Sequence, residues 1–178
     1  HLAPSYPLLL QSILTLFVQH QGVLVLGEID DPLVYQTAHY LKIPLLTMPV
    51  AVEGLLFEDV LDHPQSGAIR AIYLHSYHHM PTGQRFSIKR KKKLLQMAKA
   101  HGWLIIENVS DVDYHYGGPH THSLYQLDPH YHVIQLSRFD ALPSIVSLGL
   151  FLGPPRLVED LERYHYYLYP QKNFLLER

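Results

Sequence analysis

Six short apolar runs, separated by segments of helical period, constrain the fold of this chain more than any other feature. They are Gly22 to Glu28 (GVLVLGE), Ile43 to Val50 (IPLLTMPV), Ala68 to Ser76 (AIRAIYLHS), Trp103 to Val109 (WLIIENV), Tyr131 to Ser137 (YHVIQLS) and Ser147 to Pro154 (SLGLFLGP). A strand with one wet face alternates apolar and polar residues. A largely continuous run marks a strand buried on both faces, as in a mainly parallel sheet covered by helices on either side. The intervening segments read as helices at about Tyr6 to Gln19, Leu33 to Leu41, Phe57 to Leu61, Ser87 to His101, and from about Pro155 onward. This alternation predicts an α/β fold: a mainly parallel sheet flanked by helices on both faces.

The chain has 178 residues, enough for one sizeable core, so residues 1–178 are expected to form a single domain. It starts at His1 without a methionine and ends within a helical pattern at Arg178, and is expected to be a fragment of a longer protein. Hydrophobic residues at 47% and charged residues at 17% belong to a globular chain and not to a disordered one. A net charge of -2 offers no global attraction for nucleic acid or an anionic membrane. There is no cysteine, which excludes disulfides, thiolate metal sites and a cysteine nucleophile, and fits a cytoplasmic protein. The most apolar windows, Pro7 to Val18 and Ile43 to Val52, fall short of the ~20 residues that a membrane span requires.

The segment after PTGQRFS is the best defined helix. Ser87 is placed to cap its start, Leu94, Leu95, Met97 and Ala98 form an apolar stripe, and Gly102 ends it. Its basic run, Lys89 to Lys93, spans more than one helical turn and cannot face one groove, so it reads as a solvated outer face.

Three stretches carry a resemblance. HSYHHMPTGQRFSIKRKKKLLQMAKAHGWLIIENVSDVDYHYGG resembles the segment of fold-type I aminotransferases, the pyridoxal-phosphate (PLP) enzymes, in which an Asn-Pro-Thr-Gly turn leads through a helix to a strand ending Glu-Asp-Asp-Tyr-Asp. HVIQLSRFDALPSIVSLGLFLGPPRLVEDL is similar to that family's strand, lysine loop and following Leu-Gly strand, and GVLVLGEIDDPLVYQTAHYLKIPLLTMPVAVEGL to its upstream strand, helix and strand. In particular, the chain resembles the aminotransferase-like half of MocR-type regulators in the GntR superfamily. The resemblance implies a truncated large domain of that fold.

The resemblance also implies positions for a cofactor site, and the residues there depart from the family. PLP chemistry needs a lysine amine for the Schiff base and a carboxylate that keeps the pyridine nitrogen protonated. The lysine position corresponds to Ala141, and no lysine occurs between Ala100 and Gln171. The carboxylate position corresponds to Asn108, an amide without charge. Met80 stands for the family's asparagine, Ser110 for its tyrosine and Ser147 for its phosphate-binding arginine. The loop HLAPSYPLLL lacks the small Ser-Gly turn that cradles phosphate, and Pro4 and Pro7 each remove an amide donor. PLP is therefore not expected to bind covalently, and no catalytic residue is assigned. A vestigial cleft is expected at the strand carboxyl ends, lined by His78, His79, Met80, Asn108, Ser110 and the loop from Asp140 to Ser144, with Ala141 and Ser147 marking the old contacts.

Other constellations have simpler readings. The 14 histidines cluster at His78-His79, His120 with His122 and His130 with His132; they read as loop or hydrogen-bonded core residues, with no metal expected, and they raise the idea of pH sensing. Asp111 and Asp113 lie near Asn108 without a nucleophile or paired base. Ser144 and Ser147 lack a Gly-X-Ser-X-Gly setting. The aromatic segment Arg163 to Phe174 is expected to pack the last helix on a neighbour or to mark an interface. The function implied is a non-catalytic effector-binding and dimerisation domain of a MocR-type transcriptional regulator. It would be homodimeric in the full-length protein, would reach DNA through an absent N-terminal domain, and would sense a small molecule in the cleft. The alternatives are an active PLP aminotransferase that takes its lysine from elsewhere, and a purely structural pseudo-enzyme partner.

Overall fold

Two hydrophobic layers enclose a seven-stranded sheet in the computed structural model, which describes residues 1–18, 21–79, 81–110, 112, 122–142 and 146–168. The elements in chain order are β1 (Leu2–Ala3), α1 (Tyr6–Val18), β2 (Val23–Gly27), α2 (Pro32–Tyr40), β3 (Leu45–Met48), β4 (Val50–Ala51) and β5 (Gly54–Leu55). Two 3-10 turns follow, Phe57–Asp62 and Ser66–Ala68, and then β6 (Ile69–His75), α3 (Ile88–His101), β7 (Leu104–Asn108), α4 (Leu124–Leu127), β8 (Val133–Leu142), β9 (Val146–Leu152) and α5 (Pro155–Leu168). The sheet order is β1-β9-β8-β7-β6-β2-β3. From β3 to β8 every pairing is parallel, whereas β9 runs antiparallel to β8 and β1 antiparallel to β9. The small β4–β5 hairpin stands apart.

Each central strand feeds both layers through side chains that alternate between the faces. Leu24, Leu26, Tyr73, Ile106, Ile134 and Leu136 face α1, α2 and α5, while Val23, Val25, Ile72, Leu74, Ile105 and Val133 face α3, α4 and the first 3-10 turn. A register shift between Val23 and Leu24 lets Ile69 join the second layer although Ala71 joins the first. Burial on both faces is what the continuous apolar runs encoded. Among the described residues, no helix is long and apolar enough to cross a membrane.

The third helix matches its sequence signals at both ends. Ser87 Oγ accepts the Arg90 N–H, and Gly102 takes the left-handed conformation at φ 67°, where a side chain would be strained. Its basic run requires a correction. Lys89, Lys92 and Lys93 are exposed as expected, but Arg90 and Lys91 are buried on the face that carries Leu94 and Ala98. Arg90 lies over the Phe57 and Phe86 rings and donates to the carbonyls of Glu53 and Leu55 at 2.8 and 2.6 Å, with Glu58 Oε2 at 2.8 Å. Long stems let these two side chains cross an apolar face and place their charge among carbonyl oxygens.

A second correction concerns the expected loop from Asp140 to Ser144. Residues through Leu142 continue β8, and Leu142 pairs with Val146 of β9 across a hairpin whose register shifts between Phe139 and Leu142.

Candidate functional site

The parallel strands β2, β6 and β7 end at one edge of the sheet, where polar side chains take over from the apolar core. Asn108 is the last residue of β7, in register with His75 of β6 on one side and Leu136 of β8 on the other. Its side chain is buried, yet every polar group it has is used. The amide nitrogen donates to the hydroxyls of Tyr6 and Tyr73, each at 2.8 Å. The carbonyl oxygen accepts the Ser110 backbone N–H at 2.9 Å and the Ser110 hydroxyl at 2.7 Å. The Ser110 N–H can only donate, so it fixes which end of the amide is the oxygen. Ser110 Oγ in turn accepts the Arg138 N–H at 3.0 Å, which ties the network to β8.

Tyr6 opens α1 and Tyr73 lies in β6, with their hydroxyls 3.3 Å apart. Burial pushes both phenols well above the ordinary tyrosine range, so they act as neutral hydroxyls. Asn108 is thus a neutral hub that joins α1, β6, β7 and β8.

A second buried group adjoins it. Asp30, in the turn between β2 and α2, accepts the N–H groups of Gly27 at 3.3 Å and Asp31 at 2.8 Å. The Nε2 atoms of His75 and His79 face different oxygens of this carboxylate, at 3.5 and 3.8 Å. His79 also anchors the Pro81-Thr82-Gly83 turn: its Nδ1 lies 2.8 Å from Thr82 Oγ1, its N–H donates to Gln84 O, and its carbonyl accepts the Gly83 N–H. Burial holds the His79 imidazole below its ordinary pKa; the Asp30 charge works against this and His75 works with it. Among the described residues, no set of three His, Cys, Asp or Glu side chains is arranged to hold a metal ion.

On the other face of the β7 end, Glu107 is fully buried. Its carboxylate accepts the Ser76 hydroxyl and the N–H groups of Leu124 and Tyr125, at 2.7 and 3.0 Å, so it caps the first turn of α4. Burial raises its pKa above the ordinary value, against the pull of those hydrogen bonds and of Lys91. The Lys91 ammonium donates to the His122 carbonyl at 2.8 Å and lies 4.7 Å from the centre of the Tyr77 ring.

The positions singled out in the sequence can now be placed. Asn108, Ser110 and His79 meet at the strand ends, and His78 is partly buried beside them in sequence. Met80, Asp111, Asp113, His120 and Ser144 lie outside the described residues. Ala141 and Ser147 belong to the β8–β9 hairpin, and their side chains are not described. Tyr6, Tyr73, Asp30 and His75 escaped the sequence reading. The acid after the GVLVLGE run was the only local signal for any of them.

The sequence resemblance assigns PLP contacts to Asn108, to the start of α1 and to Ala141. At the ring-nitrogen position, the Asn108 amide is spent within the protein. At the start of α1, the Leu8 N–H is taken by Ser5 Oγ at 3.3 Å and the Leu9 N–H by Ser5 O at 3.1 Å, while Pro7 has no N–H to give. The lysine position lies in β8, in a stretch of sequence without lysine.

No protein-family model matches the chain, and no curated protein matches it in sequence. Solved structures match it in shape. Kynurenine aminotransferase from Pyrococcus horikoshii superposes with a TM-score of 0.83 at 18% identity, over 97% of this chain and 44% of that one. A multiple-substrate aminotransferase from Thermococcus profundus gives 0.84 at 21% identity over 97% and 44%. The alpha-aminoadipate aminotransferase from Thermus thermophilus, solved with a phosphopyridoxyl-leucine adduct, gives 0.79 at 21% over 94% and 44%. The chain therefore spans less than half the length of these enzymes. At such identities the likeness speaks for architecture alone: this chain has the fold of the fold-type I aminotransferase large domain.

Proposed function

We propose that this chain is a non-catalytic, aminotransferase-fold domain that serves dimerisation and effector binding in a MocR-type transcriptional regulator, and that it forms no covalent PLP adduct. The observation that carries the non-catalytic reading is the closed network at Asn108. An amide that already gives both hydrogens to phenols and takes two hydrogens from Ser110 has no group left to address a pyridine nitrogen, and no charge with which to protonate one. The lack of lysine between Ala100 and Gln171 supports the same reading independently. The regulator assignment rests on the sequence resemblance and on the retained fold, since a domain relieved of chemistry can still dimerise and bind a small ligand.

The test is a PLP titration followed by visible absorbance and thermal unfolding together, with an Ala141→Lys, Asn108→Asp double variant alongside. The natural sequence is expected to give no visible band and no rise in Tm, and the variant to gain colour. A saturable yellow adduct in the natural protein, surviving dialysis and mapped to one lysine, would overturn the proposal. Effector binding is read separately: a small amino or carboxylic acid that binds the native state must raise Tm, and a screen without any such rise removes the sensing role.

A further inference from the structure

Away from the candidate site, a polar chain links α5 to the edge of the sheet. The backbone of His1 pairs with β9: its nitrogen donates to Phe151 O at 2.9 Å, and the Phe151 N–H donates back to His1 O at 2.8 Å. The His1 ring reaches α5, where its Nε2 lies 2.8 Å from Nδ1 of His165. The other nitrogen of His165, Nε2, lies 2.8 Å from Ser12 Oγ on α1, and that hydroxyl also meets the Leu8 carbonyl at 2.8 Å. His1 Nδ1 faces Glu162 Oε1 at 3.7 Å. Side chains from α1, α5 and the segment before β1 thus converge on one buried imidazole, His165.

Proton counting decides what this pair can do. Two ring nitrogens 2.8 Å apart form a hydrogen bond only when one carries a hydrogen and the other is bare. A neutral pair satisfies that condition in either direction. A pair with one added proton still satisfies it, and Glu162 offsets the charge. A pair with two added protons must oppose two N–H groups across the same gap and bring two positive rings together, which tautomer choice cannot relieve.

We propose that the His1–His165 pair is an acid-labile latch: it holds α5 against α1 and β9 while at least one ring is neutral, and it releases the helix when both rings are protonated. The groups placed against the pair agree with this. His165 meets the His1 ring, the Tyr164 ring of its own helix and the uncharged Ser12 of α1, while His1 meets Glu162 of α5 and, through its backbone, Phe151 of β9. Burial also holds the His165 imidazole below its ordinary pKa, so the docked helix resists the second proton. Release would uncover Leu157, Val158 and Leu161, which pack on the first core layer, and so turn acidification into newly exposed apolar surface.

Amide hydrogen exchange from about pH 7.5 to about pH 5, corrected for intrinsic rates, tests the latch; linkage of one excluded proton weakens docking by up to about tenfold per pH unit. Protection in α5 is expected to fall more steeply across this range than protection in β2 and β6, which follows the global stability. In His165→Gln, whose amide bridges the same neighbours without titrating, α5 protection is expected to be independent of pH. Flat protection in the natural protein, the same fall in His165→Gln, or a fall no steeper than that of β2 and β6 would each overturn the proposal. Should His165→Gln not fold, Glu162→Gln decides, because loss of the offsetting carboxylate must move release to higher pH and an unmoved profile rejects the latch.

Discussion

At the scale of single residues, Asn108 shows how a position can be legible in the sequence while its role is not. The strand-end motif and the resemblance marked it as the place where a carboxylate had become an amide. Its partners Tyr6 and Tyr73 lie 102 and 35 residues away along the chain, beyond any local pattern. Once they are in place, the residue is a structural hub, and its removal leaves buried donors and acceptors without partners. Asn108→Ala is therefore expected to cost roughly 3 kcal/mol, since each buried polar group left unpaired costs about 1–3 kcal/mol. Asn108→Asp keeps an acceptor for Ser110 and offers oxygens to both phenols, so its loss should be smaller. Urea unfolding of the two variants checks the order, and equal losses would show that the hydrogen bonds do not set the stability of this corner.

Individual elements were legible where one physical signal sufficed. Burial on both faces produced the continuous runs of β2, β6 and β7, and Ser87 with Gly102 bracketed α3. The antiparallel direction of β9 has no such signal, because its apolar run reads like those of the parallel strands, and β1 at two residues is too short to carry a pattern. The basic run in α3 was misread because its charge counted for more than its spacing: Arg90 stands four residues before Leu94 and eight before Ala98, on the buried face. What Arg90 secures is the β4–β5 hairpin, through two carbonyls that a planar guanidinium reaches together. Arg90→Lys keeps the charge but cannot keep the fork, so it should destabilise by about 2 kcal/mol and speed amide exchange in residues 50–55. The exposed Lys93→Ala should stay within about 0.5 kcal/mol of the parent. Equal exchange in the hairpin of parent and Arg90→Lys would assign its stability to packing instead.

For the molecule as a whole, stability and pH are joined by buried groups that a count of histidines does not single out. An imidazole is charged when protonated, so burial holds His79 and His165 below the ordinary value of 6.5. The unfolded chain takes up those protons near that value while the fold resists them. Their contribution is therefore present above it and is lost as the pH falls. Glu107 has the opposite sign. Burial holds its carboxyl above the ordinary 4.5, so its contribution is full below that pH and is lost as the pH rises through the raised value. The parent's profile sums these slopes, and single variants separate them. His79→Gln should flatten the gain in stability from about pH 5 to about pH 7, and Glu107→Gln should steepen it; each changes the slope by at most about 1.4 kcal/mol per pH unit, the limit for one proton. Urea midpoints measured at a common m-value across this range give the slopes directly. Three parallel profiles would mean that neither group titrates differently in the fold and in the unfolded chain. A split in the stated directions would assign the acid side of the profile to an imidazole at the strand ends and the opposing slope to the carboxylate that caps α4.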